Sequence, residues 1–243
     1  MITLYKKELS VFFSSLIGPI IICLFLIINW FFLWSNFSDF NILDGKYATM
    51  DIFFYISPLI FLLFVPAMSM RSFSEEYNSG TIELLMTNPI SVFDIVFSKF
   101  LAIFTLVVIS IVPTFIYTFS IYFLGETIGN LDLAGIIGSY ISLLMLSSSL
   151  VSIGIFSSTI SSNQIIAFTI SIIISTFIFF GFDFLSNINA LQPYNIILRK
   201  MGIQYHYTNM SKGLLQLSDL IYFISLSIFY LMFSEIIVLN RKK

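Results

Sequence analysis

Charged residues are scarce in this sequence. Asp, Glu, Lys and Arg make up 10% of its 243 residues, whereas a typical soluble chain contains about 25%. Hydrophobic residues account for 58%, and one soluble core of this length does not hide so many large side chains. No segment is polar enough to fold as a separate soluble domain, so we expect a single membrane domain comprising residues 1–243.

Histidine and cysteine are nearly absent, and this excludes several kinds of site. His206 is the only histidine, so a zinc motif with two histidines on one helix is excluded. Cys23 is the only cysteine and forms no disulfide within the chain. The net charge of −2 gives no attraction to nucleic acid. We therefore expect no metal site and no nucleic-acid partner.

The phosphate-binding loop Gly-x-x-x-x-Gly-Lys-Ser/Thr is also absent from the sequence. That loop binds the phosphates of ATP through backbone amides and a lysine, and its Ser or Thr binds magnesium. The chain is therefore expected to bind neither ATP nor Mg directly. Any ATP hydrolysis that drives it takes place in another polypeptide.

Long runs without charge predict the membrane-spanning helices, because a helix needs about 20 apolar residues to cross a hydrocarbon core of about 30 Å. Residues 133–182 lack charge but are too many for one crossing, so we expect a tight hairpin in the polar cluster 157–164. Pro113 predicts a kink in the third run. The six predicted spans are residues 11–34, 53–70, 92–123, 133–156, 165–185 and 220–239.

The distribution of cations predicts the orientation in the membrane. An even number of spans leaves both termini on one side, and the side with more Lys and Arg is expected to be cytoplasmic. The residues on that side are Lys6, Lys7, Arg71, Lys99, Arg241, Lys242 and Lys243. The residues on the other side are Lys46, Arg199, Lys200 and Lys212. Both ends of the chain are therefore expected in the cytoplasm.

The cytoplasmic segment after the second span, residues 71–91, predicts two short helices. Ser72 and Glu75 match a capping box, Gly80 offers a backbone break, and Pro89 ends the second helix. That helix has Ile82, Leu85 and Met86 on one side and Glu83 on another. Such an amphipathic helix suits either the membrane surface or a groove on a partner protein.

This segment resembles the signature of ABC-2 type permeases, written R…EE…GT.E.LL…P. The matching residues are Arg71, Glu75, Glu76, Gly80, Thr81, Glu83, Leu84, Leu85 and Pro89. The resemblance implies an all-α integral membrane fold of six spans, similar to type V exporters, with a cytoplasmic coupling helix between spans two and three. It also implies docking of that helix onto a separate ATPase subunit that uses ATP and Mg. An ordinary amphipathic loop is the alternative interpretation.

Both ends of the chain are similar to the branch of this family that contains gliding-motility permeases of the GldF type. The similar stretches are Lys7-Glu8-Leu9, Phe12-Phe13-Ser14-Ser15, Tyr205-His206-Tyr207 and Asp219 to Phe223. This resemblance implies that the chain lies in the bacterial inner membrane and works with a GldA-like ATPase and with a GldG-like second permease or a second copy of itself. Copper-maturation and ion or drug efflux branches share the coupling signature, and a force-transmitting anchor that moves no solute is a further alternative.

Three other ionisable residues are candidates for a transport pathway or an outer gate, namely Asp183, His206 and Glu235. Each also has a structural interpretation. Asp183 suits the headgroup level, His206 lies between two tyrosines typical of a membrane-interface belt, and Glu235 snorkels at the end of the last span. Adjacent helical residues point in different directions, so Glu75 and Glu76 predict partner contact or solvation and not catalysis.

Overall fold

The structure is a computed structural model that describes residues 1–35, 41–42, 49–87, 89–125 and 130–241. Regular structure in these residues is helical, at 86%, and includes no strand. The helices are α1 (Ile2–Ser14), α2 (Ile17–Trp34), α3 (Asp51–Ser69), α4 (Arg71–Ser79), α5 (Ile82–Thr87), α6 (Val92–Ile111), α7 (Phe115–Leu124), α8 (Leu133–Ile160), α9 (Gln164–Thr176), α10 (Phe182–Ser186), α11 (Asn195–Met201), α12 (Ile203–Met210) and α13 (Leu217–Asn240). A 3-10 turn at Val112–Thr114 joins α6 to α7, and a π-helical segment at Phe177–Gly181 joins α9 to α10.

Within the described ranges, five continuous helices are long and apolar enough to cross a membrane. The pair α1 and α2 raises the number to six if the two are counted as one bent span. The others are α3 with α4, α6 with α7, α8, α9 with α10, and α13. The predicted all-α membrane fold is therefore confirmed.

The first predicted span differs from the structure, because the chain bends by 67° between α1 and α2. Val11 belongs to α1, and the straight helix that ends at Trp34 begins only at Ile17. Pro19 in the first turn of α2 has no N–H with which to continue the hydrogen bonds of α1. The bend is tight at Gly18, where a Cβ atom would lie 2.7 Å from the Phe12 carbonyl oxygen.

Local signals in the middle of the chain act as the sequence indicates. Pro113 lies in the 3-10 turn that interrupts the third long helix, since proline cannot donate the next helical hydrogen bond. The chain reverses between α8 and α9 over residues 161–163, inside the predicted polar cluster. Asn163 caps α9, because its Oδ1 accepts a hydrogen bond from the Ile165 N–H at 2.8 Å. Ser157 and Ser158 lie before this turn and are buried in the last turns of α8.

α8 forms the centre of the bundle and packs against α3, α6, α9 and α13. Small residues let the neighbouring helices approach it closely. A Cβ atom on Gly154 would lie 1.9 Å from Ser69 Oγ and 2.6 Å from Ser69 Cβ on α3. Only a glycine therefore fits against α3 at this point.

We predict that Gly154→Ala destabilises the protein by about 1 to 3 kcal/mol, because the added methyl group overpacks the α3–α8 contact. The measurement is the free energy of unfolding in detergent micelles. Ile137→Val changes one methyl group on an exposed position of α8 and serves as the control. Equal stability of the two variants would contradict the close packing.

Candidate functional site

The segment that carries the predicted coupling residues begins as a direct continuation of α3. Met70 between α3 and α4 keeps right-handed helical backbone angles, so α4 does not start with a cap. The predicted capping box is therefore wrong, because the backbone amides near Ser72 lie within a continuing helix. Ser72 Oγ is buried without a hydrogen-bond partner among the described residues, and Glu75 instead pairs with Arg71 at 3.7 Å.

Gly80 ends α4 and separates it from α5. Its φ of 71° and ψ of 4° lie in the left-handed region, which glycine adopts at little cost. Thr81 follows in the joint, with its Oγ1 2.9 Å from Ser79 Oγ. The predicted pair of short helices joined at a glycine is therefore present.

α5 has one buried side and one exposed side. Ile82 is buried, and Leu85 and Met86 pack against the hydrophobic core. Glu83 is exposed on the other side, as is Leu84 with 68% of its surface accessible. α5 ends at Thr87, while Asn88 lies outside the described residues and the exposed Pro89 follows. The short helix thus packs against the protein on one side, and its other side is exposed.

A buried ion-pair cluster at Lys99 lies beneath α4. Lys99 Nζ donates to Glu76 Oε1 at 2.8 Å, to Glu8 Oε1 at 3.2 Å and to the Ser72 carbonyl oxygen at 2.7 Å. The side chain of Lys99 is 1% exposed, and its ammonium lies 5.0 Å from the ring centre of Phe73. The cluster joins α1, α4 and α6, because each helix contributes one of its charges.

The buried cluster affects the pKa of Glu76, a residue of α4 that follows the apolar helix α3. Burial raises the pKa of Glu76 above its ordinary value, and the ammonium of Lys99 opposes that shift. The side chain of Glu76 points into the protein and is 13% exposed, whereas the side chain of Glu75 is 56% exposed. Solvation, one of the two roles expected for these carboxylates, fits the exposed Glu75 and is wrong for the buried Glu76, while contact with a partner stays a prediction.

A charged cavity of about 410 Å³ opens between α1 and α4. Its lining includes Lys7 and Glu8 from α1, Arg71 and Glu75 from α4, and Thr81 from the joint before α5. Positive and negative side chains are mixed along its wall. The predicted coupling segment thus lines one wall of this charged cavity.

The end of α13 also reaches this region. Arg241 lies over the ring of Tyr77 on α4 at 4.3 Å, and its Nη2 donates to the Ile160 carbonyl oxygen at the end of α8. Arg71 Nε donates to Gln164 Oε1 at 3.3 Å, at the start of α9. The end of α13 and the start of α9 therefore both contact α4.

A family model described as ABC-2 family transporter protein matches residues 2–239 of this chain. The chain belongs to the ABC-2 transporter family. No curated protein matches it in sequence. This ABC-2 permease is accordingly a multi-pass transmembrane subunit, of a family that is generally not catalytic and that works with an ABC ATPase.

The three candidate pathway residues of this ABC-2 permease do not form one site. Asp183 on α10 pairs with Arg199 on α11 at 3.3 Å, and both side chains are about half exposed. His206 is 7% exposed, so its side chain lies inside the protein. Glu235 is half-buried in the opposite half of α13, toward the end that contacts α4.

Sequence reasoning missed the partners of two buried charges. Lys99 counted only as a cytoplasmic cation, and Asp219, which contacts His206 at 2.6 Å, only as part of a motif. The available signal was the position of each charge at the edge of an apolar run, because a buried charge there requires a partner. Which partner it meets depends on how the helices pack.

We predict that Lys99→Met lowers the free energy of unfolding by about 3 to 5 kcal/mol, because Glu8 and Glu76 lose the cation that pairs with them. Lys6→Met is the matched control, since Lys6 is exposed on α1, and it should change stability by less than about 0.5 kcal/mol. Both values come from denaturant unfolding of the purified permease. Similar stability of the two variants would show that the cluster is dispensable.

Proposed function

We propose that this ABC-2 chain is the permease subunit of an exporter in the bacterial inner membrane, with residues 1–243 as one transmembrane domain. ATP hydrolysis in a separate ABC ATPase drives conformational change in this subunit. The single observation that carries the proposal is α5, which is attached through Ile82 on one side and exposes Glu83 on the other. The chain itself binds no cofactor, since ATP and Mg are used by the partner.

The coupling step follows from the connection between α5 and the membrane helices. α4 continues α3, so a force applied to α5 through Gly80 reaches a helix that crosses the membrane. The Lys99 cluster fixes α4 to α1 and α6, and this supports a joint response of three helices. We propose that the ATPase contacts the exposed side of this segment, which includes Glu75, Thr81, Glu83, Leu84 and Pro89 together with the half-buried Arg71. Glu76 and Leu85 support the segment from inside.

The orientation with both termini in the cytoplasm is supported by where the cations lie. Arg71 belongs to α4, Lys99 and Arg241 contact that helix, and Lys7 lines the cavity beside it. Fewer cations lie at the other end, namely Arg199 and Lys200 on α11 and Lys212 after α12. Lys46, Lys242 and Lys243 lie outside the described residues. The positive end therefore coincides with the end that carries α5.

The narrower identity of the exporter rests on the resemblance to gliding-motility permeases. On this proposal the partners are a GldA-like ATPase, a GldG-like permease or a second copy of the chain, and membrane lipid. Export and mechanical work are the two functional alternatives, because a force-transmitting anchor uses the same ATPase contact. ATPase activity stimulated by a solute in proteoliposomes favours export, whereas an assembled complex without such stimulation favours mechanical work.

We predict that Glu83→Ala weakens copurification of the ATPase or uncouples its hydrolysis from the permease, because the carboxylate lies on the exposed side of α5. Loss of a charge at such a contact is expected to reduce affinity by about tenfold or more. Asp51→Ala removes an exposed carboxylate at the opposite end of α3 and should leave the contact unchanged.

The measurement is the amount of ATPase recovered with the purified permease, followed by hydrolysis in a reconstituted complex. Full assembly and full coupling in the Glu83→Ala complex would contradict the assigned role of α5.

A further inference from the structure

A second buried ionisable pair lies at the end of α13 that is remote from α5. His206 Nδ1 on α12 is 2.6 Å from Asp219 Oδ1, and Nε2 is 2.8 Å from the carbonyl oxygen of Lys200. His206 is 7% exposed and Asp219 is 2% exposed. Asp219 Oδ2 is buried and has no hydrogen-bond partner among the described residues. Both ring nitrogens of the histidine therefore face oxygen atoms.

The hydrogen bonds at His206 indicate how many protons the pair holds. A backbone carbonyl accepts but does not donate, so Nε2 carries a proton. The carboxylate of Asp219, in the first turn of α13, also accepts hydrogen bonds. Nδ1 then carries a second proton. A neutral imidazole beside an ionised Asp219 would leave one nitrogen lone pair facing an oxygen atom.

We propose that His206 and Asp219 form a proton-binding site, in which an imidazolium and a carboxylate lock α12 and α11 onto the start of α13. The ring of His206 also stacks on Tyr222, with centroids 4.0 Å apart, and an aromatic face favours the cationic form of its neighbour. Tyr222 itself donates to the Met201 carbonyl oxygen at 2.6 Å. The proton thus holds a contact between three helices.

Other charges near the site leave Asp219 as the partner that decides the charge of His206. α12 packs against α8, α11, α13 and the π-helical segment, and the last of these contains no titratable residue. Asp183 on α10 is already paired with Arg199. The titratable or charged residues that α8, α11, α12 and the first turns of α13 contribute, besides the pair itself, are Tyr140, Arg199, Lys200, Tyr205, Tyr207 and Tyr222.

The sign of the pH dependence follows from this proton count. We call the arrangement closed when His206 and Asp219 are in contact. It holds one proton more than the arrangement in which the pair has separated and His206 is neutral. Stability of the α11–α12 contact with α13 therefore falls as pH rises through the deprotonation of the pair. Because a single proton is involved, the ratio of closed to separated arrangements falls by at most about tenfold per pH unit, between the pH at which the separated His206 loses its proton and the pH at which the closed pair loses it.

His206 gives an unusually direct test, because it is the only histidine in the chain. Protein labelled with ¹⁵N-histidine and purified without a histidine tag gives one imidazole signal set, which reports the protons on both nitrogens. We expect both nitrogens to be protonated in the wild type at a pH at which Asp219→Asn, which lacks the carboxylate, has one protonated nitrogen. The same protonation state in both proteins at every pH overturns the proposal.

Hydrogen exchange of the α12 amides in lipid nanodiscs measures the mechanical consequence. After division by the intrinsic exchange rate, protection of residues 203–210 in the wild type should fall as the imidazole loses its proton. The amide of Asp219→Asn donates to a neutral imidazole, so protection in that variant should not depend on pH. Tyr222→Phe, the control, removes the bond to Met201 and lowers protection equally at every pH.

Protection that stays constant in the wild type while the imidazole loses its proton would overturn the proposal, even if Asp219→Asn fails to fold. None of these measurements requires the ATPase. Their failure is therefore distinguishable from failure of the proposed coupling role of α5.

Discussion

One buried ammonium group, Lys99 Nζ, joins the three helices α1, α4 and α6, and the position of the proposed coupling segment depends on this contact. It contacts carboxylates from α1 and α4 and a backbone carbonyl of α4, although it belongs to α6. Charges taken out of water are costly unless each finds a partner in good geometry. The helices therefore have one arrangement at this end in which the ammonium meets both carboxylates. The short helix α5 inherits its position from that arrangement through α4.

Features that depend on neighbouring residues were predictable from the sequence. Charge-free runs of known length gave the long helices, and a run too long for one crossing required the turn at residues 161–163. Gly80 indicated a break because glycine alone readily adopts left-handed backbone angles. The two sides of α5 followed from helical periodicity, with Ile82 inside and Glu83 outside.

Features that depend on packing between distant segments were not predictable. Ser72 resembles a helix cap in isolation, but α3 continues into α4 and supplies the hydrogen-bond acceptors that a cap would replace. His206 resembles an interfacial residue between tyrosines, yet α13 brings Asp219 against it. Lys99 and Glu8 are 91 residues apart in the chain. A single sequence shows that such charges need partners and does not show which ones they meet.

The unbroken path from α3 into α4 has a geometric consequence. The 29 residues from Asp51 to Ser79 extend about 44 Å at the helical rise of 1.5 Å per residue, which exceeds a hydrocarbon core of about 30 Å. Roughly a third of this helix therefore extends beyond the lipid, at the end formed by α4. A change in the tilt of α3 within the bilayer displaces α4 sideways, and a sideways displacement of α4 changes the tilt of α3.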